Sequence, residues 1–176
     1  MAECLALTLL FNHHQLFLTP SRLMSVAVLP DFLPPEWALA LAGAERHETS
    51  WASARMVWHA WGHVAAPTLV LLHGGSGSWT HWLRCIAPLR DGGWRVLVPD
   101  LPGFGDSDLP EGCTDVDDLP PHLHAGLQQL QAAGLCAGPV SVAGFSFGGM
   151  AGALWLAAHP QDAEQFVLVG APGMGL

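Results

Sequence analysis

"VSVAGFSFGGMAGALWLAAHP" occupies residues 140–160 and changes character at its centre. The first six residues, to Phe145, are a mostly apolar run with β-branched Val140 and Val142, the pattern of a strand covered on both faces. From Phe147 onward small and apolar residues continue to Pro160, long enough for a helix packed on that strand. Ser146 stands at the switch, with Gly144 and Gly148 two positions to either side. A sharp strand-to-helix turn leaves no room for side chains at the flanking positions. It lifts the serine hydroxyl above the sheet edge, where the helix N-terminus faces any negative charge that develops. A serine that merely caps a helix has the same spacing, but the buried strand before it and the apolar helix after it favour a nucleophile.

Working outward, the same alternation recurs. "TLVLLHG" (68–74), "RVLVPD" (95–100) and "QFVLVG" (165–170) read as further buried strands, and "ARMVWHAWG" (54–62) as an early antiparallel one. Between them, apolar residues at 79, 82, 83, 86 and 89 predict a helix with Ser78 as N-cap and Gly92-Gly93 as its stop, Pro88 ending the regular part early. Leu123, Leu127 and Leu130 share one face of a second helix over 121–134. The order predicts an α/β fold: a mostly parallel sheet with helices on both faces. Residues 1–50 read as an N-terminal extension, with a short helix over 36–42 after Pro34-Pro35, and residues 51–176 as the domain. Met24 reads as the start of the protein proper, leaving 1–23 upstream of it.

The chain has 176 residues, 51% hydrophobic and 12% charged, enough for one domain with a real core. Fifteen acidic residues stand against six arginines, a net charge of −9 with no basic run. That argues against nucleic acid or an anionic membrane as partner. There is no lysine, which removes lysine-based catalysis and a phosphate-binding P-loop. The near-absence of residues with AT-rich codons points to a GC-rich bacterial gene. Cys4, Cys85, Cys113 and Cys136 form no C-x-x-C pair and read as reduced thiols of a cytoplasmic protein. The histidine pairs His59/His63 and His122/His124 lack a third ligand at suitable spacing, so neither a metal nor a cofactor is expected.

"LLHGGSGSWTHW", "VPDLPGFGDSD", "VAGFSFGGMAG" and "VLVGAPGMGL" stand in the order found in the α/β-hydrolase superfamily, and the last resembles its esterase and meta-cleavage carbon–carbon hydrolase branch. The resemblance implies Ser146 as nucleophile and an oxyanion hole from the backbone N–H groups of Gly75 and Phe147. Trp79, Phe145, Phe147 and Ser76 are candidate walls of an apolar pocket, and the implied substrate is a small apolar ester or ketone. His73 is expected to support the turn. The family's triad order is Ser, acid, His. After Ser146 the sequence offers His159, Asp162 and Glu164; the first two follow a helix of about 18 Å that begins at the serine, out of its reach. The expectation is therefore an α/β-hydrolase fold truncated after the strand that follows the nucleophile helix. This chain alone is expected to be inactive, and its last strand to leave an exposed edge open to self-association. The alternative is a non-catalytic fragment or partner-binding half-domain. A nucleotide-binding Rossmann domain is disfavoured, because the loop after "TLVLLHG" lacks the glycine fingerprint.

Overall fold

The structure, a computed structural model, describes residues 35–170. The expectations for residues 1–34 and for the tail 171–176 lie outside them. Six strands form one sheet in the order β1-β2-β4-β3-β5-β6: β1 Glu45–Trp51, β2 Ala54–Trp61, β3 Thr68–Leu72, β4 Arg95–Pro99, β5 Val140–Phe145 and β6 Ala163–Val169. β1, β2 and β4 pair antiparallel in succession, whereas β4–β3, β3–β5 and β5–β6 are parallel. Four helices accompany them: α1 Pro35–Leu41, α2 Leu83–Asp91, α3 Pro120–Ala132 and α4 Phe147–Ala158. The mostly parallel sheet of the sequence reading is present.

Strand alternation distributes the core. Val70, Leu72, Val140 and Val142 point to one face, where Leu123, Leu127 and Leu130 of α3 and Trp155 of α4 cover them. Leu69, Leu71, Val96, Val98 and Ala143 point to the other, under α2 and Trp61. All of β1 but its last residue precedes residue 51, yet it pairs with β2 over its full length, Glu45 opposite Ala60 to Trp51 opposite Ala54. The sheet therefore begins at Glu45. β1 escapes a hydrophobicity reading because "ERHETSW" is an edge strand with one buried residue, Thr49. The exposed turn Ala52-Ser53, with positive φ at both residues, joins it to β2.

α2 corrects a second expectation. Residues 79–82 form a separate 3₁₀ turn capped by Ser78, and Pro88 lies inside α2, which runs on to Asp91. The proline removes one N–H, but Leu89, 1% exposed, anchors the last turn in the core, and Gly92 N–H closes it on Pro88 O at 2.9 Å. β6 is the outermost strand on its side, with Leu168 exposed. No helix among the described residues is long and apolar enough to cross a membrane.

Candidate active site

β5 carries the chain to Ser146, where the backbone takes φ +51° and ψ −116° before α4 begins. This combination is nearly reserved for glycine and strains a residue that has a Cβ. The turn is held from both sides: Ser146 N–H donates to Val169 O, and Gly149 N–H donates to Ser146 O, each at 2.9 Å. The flanking glycines are forced by close approach. A Cβ on Gly148 would lie 2.4 Å from Leu72 O and 2.5 Å from His73 O; one on Gly144 would lie 2.5 Å from Gly148 O. Ser146 is half-buried, and its hydroxyl makes no hydrogen bond among the described residues.

The loop after β3 comes to the same place. A Cβ built on Gly74 would lie 3.5 Å from Ser146 Cβ, and one on Gly75 3.6 Å from Phe147 Cβ. The structure thus brings together Ser146, Gly75 and Phe147. Phe147 opens α4, so its N–H belongs to the first helical turn, whose donors have no partner inside the helix. Gly75 and Ser76 are exposed, and Ser76 has φ +57°. His81, not singled out in the sequence, folds back under this loop. Its Nδ1 accepts the Gly74 N–H at 3.3 Å, and its ring fills the space a side chain at Gly77 would need.

The three aromatic candidates do not form one wall. Phe145 sits beside Gly74 and His81 on the α2 face, whereas Phe147 packs on the opposite face, 5.6 Å from Phe104. They flank Ser146 because strand and helix leave the turn in different directions. Trp79 is further off, its ring stacked on His59 at 4.7 Å and near Trp61, with its backbone N–H donated to Asp100 Oδ1.

Two buried polar groups fix this edge of the sheet. Among its bonds, fully buried His73 donates from Nδ1 to Gly74 O at 2.8 Å and accepts the Leu101 N–H on Nε2 at 2.9 Å, tying the loop after β3 to the loop after β4. This demands the neutral ring, and burial holds its pKa below the ordinary 6.5. Asp100, 1% exposed, accepts N–H groups from Trp79 and Asp106. Burial raises its pKa, but these bonds and nearby His59 outweigh that and hold it below 3.8. Asp108 accepts the Arg55 N–H and pins the same loop to β2. Asp100 and Asp108 thus fix the shape of "DLPGFGDSD" through their carboxylates, and Asp106 through its backbone N–H.

His159 and Asp162 lie at the far end of α4. Fully buried Asp162 accepts from Trp155 Nε1 at 2.8 Å and His124 Nδ1 at 2.7 Å, with Gln128 at 3.4 Å. His159 stacks on His124, rings 3.9 Å apart and 3° from parallel. Nothing in the sequence announces this network, whose members come from α3, α4 and a 3₁₀ turn with no motif spacing. His124, His159 and Asp162 form one grouping of metal-ligand type, and His59, Asp100 and Asp106 another. An ion in the plane of the His124 ring would lie off the parallel plane of His159, so as placed the two imidazoles do not chelate together.

The sequence pattern of the alpha/beta hydrolase fold family matches residues 67–176. Lipase 1 of Psychrobacter immobilis is 33% identical over 120 residues, which are 68% of this chain and 36% of that protein. The 2-hydroxy-6-oxo-6-phenylhexa-2,4-dienoate hydrolase of Burkholderia cepacia is 32% identical over 111 residues, 61% of this chain and 37% of that protein. The crystal structure of a membrane phospholipase A, a bacterial virulence factor, superposes with a TM-score of 0.67 at 30% identity, covering 80% of this chain and 43% of that one. The chain spans little more than a third of the length of these curated relatives. Together the sheet order, the turn at Ser146 and these matches show that the chain belongs to the α/β-hydrolase fold family.

Proposed function

We propose that Ser146 is the nucleophile of a serine hydrolase acting on a carboxylic ester or a related ketone. Its Oγ would attack the carbonyl carbon, and the N–H groups of Phe147 and Gly75 would hold the oxygen as it becomes negative. One observation carries the reading: a strained serine with an unoccupied hydroxyl, at the N-terminus of α4, beside the backbone of a glycine loop. The reading needs neither metal nor cofactor. The lipase and dienoate-hydrolase names of the relatives support the reaction class and leave the ester and the ketone both open.

A serine hydroxyl is almost wholly protonated near neutral pH and needs a base to take its proton as the new bond forms. Among the described residues Ser146 Oγ bonds to no imidazole or carboxylate, and His159 and Asp162 are engaged about 18 Å away, a helix length from the turn. The 176-residue chain is therefore expected to hydrolyse p-nitrophenyl acetate no faster than its Ser146→Ala variant. Adding a polypeptide that supplies the rest of the fold, with a late acid and histidine, is expected to restore turnover, and Ser146→Ala to cut it on the order of 10³-fold or more. Restored turnover that survives Ser146→Ala would remove the serine from the mechanism. Stoichiometric labelling of Ser146 by a fluorophosphonate in the chain alone would show a base already present.

A further inference from the structure

On the Phe147 side of the turn, an open groove of about 250 Å³ runs between the loop after β4 and the start of α4. Its walls include Phe104, Leu109, Cys113, Val116 and Phe147. Leu109 is 68% exposed, unusual for a large apolar side chain, and it leans over Gly103, where an added Cβ would meet it at 2.9 Å. The one charged residue of the lining is Asp115, whose carboxylate accepts the Val116 N–H. Neighbouring Asp117 and Asp118 are acidic too, and Arg55, a cation of the adjoining β2, is engaged with Glu48, Asp106 and Asp108. An anionic tail entering here would meet negative charge and no cation in the lining.

The groove begins at the residue whose N–H is assigned to the oxyanion, so a chain attached to that carbonyl and leaving past the Phe147 ring enters it. We propose that this groove holds the uncharged apolar arm of the substrate, and that the site takes neutral fatty-acyl esters in preference to carboxylate-bearing ketones. The inference rests on Ser146 as the reacting group. It narrows the two carbonyl classes left open above to one.

Cys113 provides a native reporter, half-buried in the groove wall, while Cys85 and Cys136 are buried elsewhere. Burial, with the charge of Asp118, raises its thiol above 9.0, so alkylation is slow enough to follow at mildly alkaline pH. Iodoacetamide modification of Cys113 is measured by peptide mass mapping on the 176-residue chain. The added compounds are methyl hexanoate, methyl octanoate, methyl decanoate or the octanoate anion. Saturating methyl octanoate is expected to slow alkylation at least fivefold, and the half-protecting concentration to fall about two- to fourfold per added methylene. Octanoate anion at the same concentration is expected to give little protection. Leu109→Gln, which adds polarity without charge at an exposed position, is expected to remove most of the protection by the esters, read as the ratio of alkylation rates with and without ester in the same variant. Ser146→Ala is expected to be protected like the native chain. Equal protection by octanoate, or none by the esters, overturns the proposal. Protection that vanishes in Ser146→Ala would place the ester on the serine alone and overturn it equally. Because protection is read without turnover, loss of the nucleophile assignment and loss of the groove give different results.

Discussion

The two ends of α4 are built on opposite principles. At the C-terminal end, Asp162 is fully buried and accepts from the Trp155 indole, His124 and Gln128, and His159 closes the cluster by stacking on His124. Polar groups there are satisfied, as burial requires. At the N-terminal end the backbone is strained at Ser146 and the serine hydroxyl bonds to nothing among the described residues. One end holds the helix to α3 and the turn before β6. The other stores strain and presents unused hydrogen-bonding capacity, which a functional site requires and a structural one avoids. Under the proposed function, this difference divides one helix into an anchoring end and a reacting end.

The close approach of α4 to β3 is the feature on which the contrast most depends. At Gly148 a Cβ would press on two backbone carbonyls, Leu72 O and His73 O, neither of which can move without shifting β3. Gly148→Val is expected to cost at least about 3 kcal/mol, a large share of the stability of a domain this size. Urea unfolding followed by tryptophan fluorescence reads the change; a midpoint near the native one would mean that the helix start has freedom the geometry denies it.

The anchoring end is expected to respond next. Asp162→Ala leaves the buried Trp155 N–H without its acceptor and releases His124, at a cost of about 2–3 kcal/mol. The loss should fall on stability alone: in an assembly with restored turnover, activity at temperatures well below unfolding is expected to stay within about twofold of native. A selective loss of activity would show that the two ends are coupled.

Much of this contrast was legible in the sequence, but only on one side. Gly144, Ser146 and Gly148 are adjacent in the chain, so the strand, the turn and the helix can all be read from one run of residues. The glycine loop at 73–77 follows an equally plain strand, and Leu123, Leu127 and Leu130 are buried where helical spacing puts them. The anchor was hidden because His124 and Asp162 are 38 positions apart and meet only when α3 packs beside α4. β1 was hidden because a polar edge strand has no apolar alternation to show. Phe145 and Phe147 were read as one wall because spacing in the chain does not reveal that the turn sends them to opposite faces.

A smaller effect tests whether the satisfied groups at the Ser146 end are as fixed as those of the anchor. His73 accepts the Leu101 N–H on Nε2, so protonation would set one N–H against another. Its folded pKa lies below the ordinary 6.5 because burial disfavours the charged ring. In that window the unfolded chain binds more protons than the folded one, so stability rises with pH. The contribution is complete above about pH 6.5 and is lost as the pH falls through the folded pKa, with a limiting slope of about 1.4 kcal/mol per pH unit for one proton. His122, shifted in the same direction by burial, adds to the trend. Unfolding midpoints between pH 7.5 and 5 are expected to fall, and His73→Gln to flatten the slope. A slope unchanged in that variant would place the titration elsewhere.

The smallest expected effect isolates the strain itself. At φ +51° and ψ −116°, the cost at Ser146 comes from its Cβ and not its hydroxyl. Such conformations cost on the order of 1–3 kcal/mol for a residue with a side chain, and glycine escapes the cost while losing about 0.5–1 kcal/mol through greater freedom in the unfolded chain. Ser146→Gly is therefore expected to be more stable than Ser146→Ala by about 1 kcal/mol. Both variants lack the Oγ, so the comparison holds the loss of the hydroxyl constant and varies only the Cβ. Ser146→Ala should stay close to native, because it keeps the strained atom and removes a hydroxyl that bonds to nothing among the described residues. Urea midpoints of the three chains, measured at pH 7.5 where His73 is neutral, decide the point. Equal midpoints for the glycine and alanine variants would mean that no strain is stored at this turn. The two ends of α4 would then differ in hydrogen bonding alone.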